Sequence, residues 1–345
     1  MDKYQILRSM GFGREISVKK VYNISVNYIK FLARNPHLSS FPSILMMEPT
    51  NYCNLRCPLC PTGNGTIRAP RGFMSFDSYK RIIDEVGDYL LNLTLYNFGE
   101  PFLNKSLLDM VEYAKKKRIF IRISTNGHFL DGREKIERLV KSGLDHIIIA
   151  LDAATEDTFQ KYRKKGDFKK VVENIKKLVK QKKARKSRTP YIELLFVVMK
   201  HNEKEIPVIR KIAGDIGVDR LKLKTASLIY HSKNDKRGIG DYLPENKKRG
   251  RYKFKEGAII ENKKIKDACK WLWVGSVVNW DGAVVPCCYD PHRTLEMGNA
   301  FGGNNLRRVW CGSKYTGLRK LILRNKKAVD ICRKCPGTLT GSDTD

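Results

Sequence analysis

The sequence predicts an α/β protein of about six βα units, an incomplete barrel or an open doubly wound sheet, followed by a small cysteine-rich module. Three observations carry this. Short apolar runs such as Ile147-Ile148-Ile149 alternate with amphipathic stretches from Ser43 to Lys224, and that alternation needs crossover connections and hence a parallel sheet buried on both faces. Polar motifs fall where the strands end, which is where reacting groups belong in either architecture. Beyond Lys224 the periodicity fades, and six of the nine cysteines lie between 267 and 335, apart from Cys53, Cys57 and Cys60. A length of 345 residues with 41% hydrophobic content suffices for one large or two unequal domains.

The elements follow in order. Residues 17 to 34 read as an amphipathic basic helix, with Val18, Val21, Tyr22, Tyr28, Ile29 and Leu32 among Lys19, Lys20, Lys30 and Arg34; it is expected to pack on the body of the protein rather than lie on a membrane. Strands are expected at Ile44 to Glu48, Leu93 to Phe98, Ile119 to Ser124, His146 to Leu151, Tyr191 to Met199 and Arg220 to Lys224. Helices are expected near 76 to 91, 104 to 117, 131 to 142, 167 to 183 and 202 to 216. Residues 231 to 266 hold 12 Lys and Arg against 5 acids and read as a mobile or extended linker. A hairpin centred on Asp281-Gly282 and a helix near 304 to 325 follow. The expected division is a basic extension 1–43, a barrel 44–230, a linker 231–266, a cysteine module 267–337 and a tail 338–345.

A formal charge of +31 gives the surface a strongly positive field. It suits nucleic acid, anionic lipid, an acidic electron-transfer protein or a phosphorylated substrate, or simply keeps a Lys-rich surface soluble. The run from Lys161 to Arg188, with 14 Lys and Arg and 2 acids, carries Phe168, Val171, Val172, Ile175, Leu178 and Val179 at helical spacing. It is first a core-facing stripe with a solvated outer face. Sparse aromatic interleaving argues against nucleic acid as the partner.

No apolar run reaches the roughly 18 to 20 residues of a bilayer span, and Met1-Asp2-Lys3-Tyr4 lacks the apolar core of a secretion signal. A cytoplasmic location follows as an expectation. In that compartment thiols stay reduced, so nine cysteines point to metal ligation or catalysis rather than disulfides. The six histidines show no paired spacing for a hydrolytic zinc site.

Cys53, Cys57 and Cys60 stand in one loop at the end of the first strand, where Pro58 and Pro61 prevent regular helix. Three thiolates can converge on one centre, yet a structural zinc site wants four ligands, and the nearest further candidate, His128, is distant in sequence. A four-iron cluster held by three thiolates keeps one iron open to a ligand.

This C-x3-C-x2-C run resembles the radical S-adenosylmethionine (SAM) superfamily. Phe98-Gly99-Glu100-Pro101 is similar to the family's G-G-E-P segment, which holds the amino group of SAM, with Phe98 in place of the first glycine. Ser124-Thr125-Asn126-Gly127 closes the third strand where the family contacts SAM, and Asp152 and Arg163 match the stretch that reaches its ribose and carboxylate. Leu59 stands where the family usually has an aromatic residue beside adenine. The resemblance implies a partial, TIM-like (β/α)6 barrel, a SAM-binding 4Fe-4S cluster on Cys53, Cys57 and Cys60, and SAM contacts from Leu59, Gly99, Glu100, Pro101, Ser124, Asn126, Asp152 and Arg163. It also implies reductive cleavage of SAM to methionine and a 5′-deoxyadenosyl radical that abstracts hydrogen.

Cys269, Cys287, Cys332 and Cys335 make a closed set of four thiolates, zinc or a four-iron cluster by ligand type alone. Their surroundings resemble the SPASM and twitch modules of radical SAM enzymes, the one-cluster twitch form in particular, which implies a second, auxiliary 4Fe-4S cluster. Cys311 reads as a packed thiol, and Cys288, beside a ligand, as a possible replacement for it. A fully ligated cluster suits electron transfer, so the expected reaction is net two-electron oxidation of a small hydroxylated metabolite, with Lys224 a candidate base and a solvated lysine the competing reading. The other expected classes are a peptide or protein maturase, disfavoured by the roughly 43 residues ahead of the first strand, and an RNA-modifying enzyme or a non-catalytic metal-binding interaction protein. The electron donor implied is acidic, a flavodoxin or ferredoxin.

Overall fold

A computed structural model of the chain describes residues 16–226, 239–246, 252–255, 258–261, 269–333 and 335. Its centre is a sheet whose first six strands are β1 (Ile44–Met47), β2 (Asn92–Leu95), β3 (Phe120–Thr125), β4 (His146–Ala150), β5 (Tyr191–Val198) and β6 (Arg220–Thr225). Each pairs in parallel with the next, from β1 through β6. Spatial order equal to chain order has no switch point. This settles the choice between architectures: the wall is that of a partial barrel, not of a doubly wound sheet.

Strand chemistry explains the two-sided burial. Leu93, Leu95, Ile121, Ile123, Ile147, Ile149, Leu194 and Phe196 are fully buried in one continuous core. The alternate positions Tyr96, Arg122, Ser124, His146, Glu193, Lys222 and Lys224 then face the barrel interior, because successive side chains point to opposite faces. The outer layer consists of α2 (Phe76–Val86), α3 (Leu107–Lys115), α4 (Arg133–Lys141), α6 (Phe168–Ala184) and α7 (Ile206–Ile216), with α1 (Val18–Leu32) ahead of the barrel. In α6, Val171, Ile175, Leu178 and Val179 are buried under a charged outer face, and Asp167 caps the helix by accepting from the Lys170 amide.

The cysteine module extends this sheet. After the short hairpin β7 (Tyr252–Lys255) and β8 (Ala258–Glu261), strand β9 (Gly275–Val278) pairs in parallel with β1, and β10 (Ala283–Val285) and β11 (Gly298–Asn299) continue antiparallel, giving nine strands in one sheet. The two cysteine sites are thus joined through backbone hydrogen bonds on either side of β1.

Four expectations need correction. The segment 231–266, read as a mobile or extended linker, contains a 3-10 turn at Ile239–Tyr242, the residues 243–246 that follow it and the β7–β8 hairpin; its other residues, like the tail 338–345, lie outside the described ones. A short helix α5 (Glu156–Tyr162), capped by Thr155 and too brief for a periodic signal, was not expected. The helix expected over 304 to 325 is two, α9 (Leu306–Cys311) and α10 (Ser313–Asn325), following the single turn α8 (Trp271–Val274) and divided at the extended Gly312. Finally, α1 packs on the body as expected, but through buried Lys20, Asn23 and Asn27 together with Ile24 and Phe31, while Val18, Val21, Tyr22, Tyr28, Ile29 and Leu32 stay exposed. Among the described residues no helix is long and apolar enough to cross a membrane.

Candidate functional site

The loop after β1 is pinned from both sides before it delivers any sulfur. The Thr50 hydroxyl donates to the Gly72 carbonyl at 2.7 Å, and Asn51 donates to Pro70 at 2.7 Å while accepting from the Gly72 amide at 3.1 Å. Within the loop the Cys60 amide donates to the Cys57 carbonyl at 3.1 Å. A Cβ on Gly63 would stand 2.6 Å from the Cys57 nitrogen, so the chain returns across Cys57 at a distance only glycine permits.

Gly99 serves the same loop from β2. Its φ is +110° and an added Cβ would lie 2.4 Å from the Thr50 carbonyl oxygen, while the neighbouring Glu100 amide donates to Tyr52 at 2.7 Å. Phe98, in the place of a glycine, donates its amide to the buried Glu48 carboxylate at 3.2 Å. Pro101 opens the 3-10 turn that follows.

Glu100 is buried with both oxygens occupied: one accepts from the Thr125 hydroxyl at 2.8 Å and the Phe102 amide at 3.1 Å, the other from the Asn126 amide at 2.8 Å. Burial pushes its carboxyl up to about 7, against these hydrogen bonds. Asn126 also reaches the cysteine loop, donating to Asn54 at 2.8 Å and toward the Cys53 sulfur at 3.9 Å. Ser124 lies on the other face of β3, inside the barrel, so Thr125 rather than Ser124 makes the contact to Glu100.

His128 orients Asn126. Its Nε2 accepts from the Asp167 amide at 2.8 Å, which places the proton on Nδ1 and directs it to Asn126 Oδ1 at 2.9 Å. Both ring nitrogens are engaged, so His128 is no fourth ligand.

The third contribution comes from the end of β4. Asp152, at φ 58°, accepts from the Val197 amide at 2.7 Å and from Arg163 Nε at 2.8 Å. Arg163 donates in turn toward the Cys57 sulfur at 3.7 Å. Leu59 is buried with Met199, Ala226 and Leu243 in a small apolar cluster flanked by Tyr162.

Burial pushes the Cys53 thiol up to about 12, with Glu100, Cys57 and Cys60 adding to it, and Cys57 up to about 11 against the Arg163 charge. Cys53 and Cys57, thiols that resist ionisation by themselves, stand beside Cys60 in one loop and suit a cationic metal cluster, which reverses the local charge balance. All three predicted thiols, Glu100, Asn126, Asp152 and Arg163 therefore meet at one end of the barrel.

The other set converges as well. Cys269, Cys287, Cys332 and Cys335 line a single cavity with Leu272 and Lys326. Cys287 follows the hairpin, whose end is fixed by Trp271 Nε1 donating to the Pro286 carbonyl at 2.7 Å. Burial and the neighbouring thiols push Cys269 up to about 11 and Cys332 up to about 12. Among the described residues no three His, Cys, Asp or Glu side chains gather around a single ion-sized point. Four sulfurs ringing an apolar cavity have the spread and the donor chemistry for a cluster. Cys288 hydrogen-bonds to Cys287, raising the latter's pKa. Cys311 is a packed thiol that donates to the Ser40 carbonyl at 3.5 Å. Lys224 lies in β6 on the interior side and is half-buried.

The sequence patterns of two families match the two halves of this arrangement. The radical SAM superfamily matches residues 47–211 and the SPASM iron-sulfur cluster-binding domain matches residues 269–336. The chain belongs to the radical SAM superfamily and carries a SPASM domain, with SAM and 4Fe-4S clusters as its cofactors. Among curated relatives, it is 27% identical over 300 residues, 80% of this chain and 82% of the relative, to the tungsten-containing aldehyde ferredoxin oxidoreductase cofactor-modifying protein of Pyrococcus furiosus. It is 26% identical to the PqqA peptide cyclase of Gluconobacter oxydans over 54% of this chain and 50% of that one. The solved fold of SuiB from Streptococcus suis bound to S-adenosylmethionine superimposes with a TM-score of 0.64 at 17% identity, covering 92% of this chain and 77% of SuiB. BtrN in complex with AdoMet and 2-DOIA superimposes at 0.52 and 20% identity, covering 86% and 94%.

Proposed function

We propose that the protein catalyses a net two-electron oxidation of a small hydroxylated metabolite, holding the SAM-cleaving cluster on Cys53, Cys57 and Cys60 and one auxiliary, twitch-type cluster on Cys269, Cys287, Cys332 and Cys335. When bound, the first cluster and SAM supply a one-electron cleavage that yields a hydrogen-abstracting 5′-deoxyadenosyl radical. The residues around it position and shield that chemistry. Glu100 and Asn126 are fixed by Thr125 and His128, so they offer SAM a rigid polar wall, and Leu59 with its apolar neighbours gives the adenine a dry face. Asp152 and Arg163 hold the edge nearest Cys57.

The observation that carries the oxidative reading is the closed set of four thiols around one cavity, with Cys287 just past the hairpin whose first strand pairs with β1. Four protein donors leave no open coordination position, so electron transfer is the chemistry available to a group held there. Loss of a hydrogen atom, a proton and then one electron turns an alcohol into a carbonyl. The electron donor is an acidic flavodoxin or ferredoxin suited to the +31 surface. A peptide substrate is the second reading, supported by the similarity to PqqA peptide cyclase.

The test uses the reconstituted enzyme and its Cys332→Ala variant. The variant is expected to cleave SAM at an undiminished rate while failing to form oxidised product. Oxidised product at the wild-type rate would reject the auxiliary role, and turnover of peptides alone would favour the second reading.

A further inference from the structure

Helix α1 is attached to the rest of the molecule by a face on which Lys20, Asn23 and Asn27 are buried and Ile24 and Phe31 pack against the core, Phe31 edge-on to Trp273 at 5.5 Å. Lys20, Asn23 and Asn27 are only 2, 2 and 0% exposed. Asn23 donates to the Phe41 carbonyl and the Ser43 hydroxyl, both at 3.0 Å, and Asn27 donates to the same two groups at 2.8 and 3.0 Å. The Lys20 ammonium donates to the Lys117 carbonyl at 2.9 Å and to that of Arg118. The opposite side carries Val18, Val21, Tyr22, Tyr28, Ile29 and Leu32, exposed by 86, 48, 70, 44, 61 and 62%. Three- and four-residue spacing aligns them in one stripe about 21 Å long. A surface helix ordinarily buries such a stripe and shows its polar face to water. Here Ile24 and Phe31 pack inward beside polar groups consumed by specific hydrogen bonds, while the six other apolar side chains named above are left outward, which on a folded surface marks a site of interaction.

The charges beside the stripe indicate what it meets. On the helix surface Lys19 and Lys30 run along one margin. On the other, Lys270 Nζ stands 5.7 Å from the centre of the Tyr28 ring. The Lys19 side chain is 64% exposed and its pairing with Asp88 is loose at 3.7 Å. A convex apolar ridge with cations on both shoulders and two tyrosines along it matches the boundary of an anionic bilayer. There, apolar side chains enter the acyl region while ammonium groups meet headgroup phosphates. A protein with a groove would accept the ridge without needing cations on both sides. We propose that α1 seats the enzyme on the surface of an anionic membrane, in the plane of the interface and without crossing it.

The experiment is sedimentation of the full chain with vesicles of phosphatidylcholine alone and of equimolar phosphatidylcholine and phosphatidylglycerol, alongside the double variant Tyr22→Glu, Ile29→Glu. Both positions are exposed, so the variant is expected to keep the thermal unfolding midpoint and the SAM-cleavage rate of the wild type. The wild type should bind the anionic vesicles, more weakly as salt rises, and the variant should lose at least about tenfold in partitioning. Absence of wild-type binding, or equal binding by the variant, would overturn the proposal. So would a wild-type dimer that becomes monomeric in the variant, which makes a second copy the occupant. Binding that emerges only after removal of residues 1–15 would assign the stripe to that segment instead.

Discussion

Arg163 donates to Asp152 at 2.8 Å through Nε and toward the Cys57 sulfur at 3.7 Å through Nη1. One guanidinium thus connects the end of β4 to a cysteine in the loop after β1, and its planar fork makes both contacts at once. Arg163→Lys keeps the charge but loses the fork, so SAM cleavage should fall about 10- to 100-fold and the paramagnetic resonance spectrum of the reduced cluster should shift. An unchanged spectrum with unchanged rate would make the residue dispensable to the centre.

His128 acts at one remove, through Asn126. His128→Phe strands the Asp167 amide and leaves Asn126 Oδ1 only the backbone amide of residue 128, at 3.1 Å, a cost of about 1–3 kcal/mol in urea unfolding. Burial holds the imidazole pKa below its ordinary 6.5. The neutral ring therefore contributes stability above the unfolded value that is lost as pH falls through the depressed one. Wild type should lose its advantage over the variant in acid; a gap independent of pH would show that the proton on this ring is irrelevant.

Gly99→Ala places a methyl 2.4 Å from the Thr50 carbonyl oxygen at a φ of +110°. The backbone is the obstacle, so no rotamer relieves it, and the expected loss exceeds about 2 kcal/mol together with poor iron incorporation. Full iron loading and an unshifted unfolding curve would contradict this account of the loop.

Much of this was legible because it depends on local chemistry. The apolar strand runs, the cysteine spacings and the Asp281-Gly282 turn each fix a structure by themselves, and strands were placed within a few residues, as with Tyr191–Val198. What escaped were features set by distant partners. Nothing in the pattern around residue 20 says that Lys20 will find the Lys117 carbonyl, so the outward face of α1 was invisible. The parallel pairing of Ile44 with Gly275 joins segments more than two hundred residues apart in sequence, across a stretch without periodicity. Thr125 stands inside a strand-end motif and His128 reads as a candidate ligand, but their actual roles lacked a signal because each works by holding Glu100 or Asn126.

Glu48, buried at the end of β1, accepts the Phe98 amide, and burial raises its carboxyl to about 7 from 4.5, with Arg293 opposing. A carboxyl raised in this way is bound as the acid in the folded state. Its burial carries no penalty below pH 4.5 and becomes costly as pH rises through 7. Glu48→Gln should therefore stabilise the protein at about pH 8 relative to about pH 5, by up to about 3 kcal/mol, measured by urea unfolding. A difference equal at both pH values would mean that Glu48 stays ionised throughout.

The central claim is that Cys53, Cys57 and Cys60 hold the cluster that opens SAM. Anaerobic reconstitution, counting of iron and sulfide, and a dithionite-driven assay for 5′-deoxyadenosine in wild type and in Cys57→Ala test it most directly. Wild type should form the nucleoside and show the resonance signal of a reduced four-iron cluster with SAM, while Cys57→Ala should do neither and bind about four fewer iron atoms per chain. Sustained 5′-deoxyadenosine formation by Cys57→Ala would contradict the assignment.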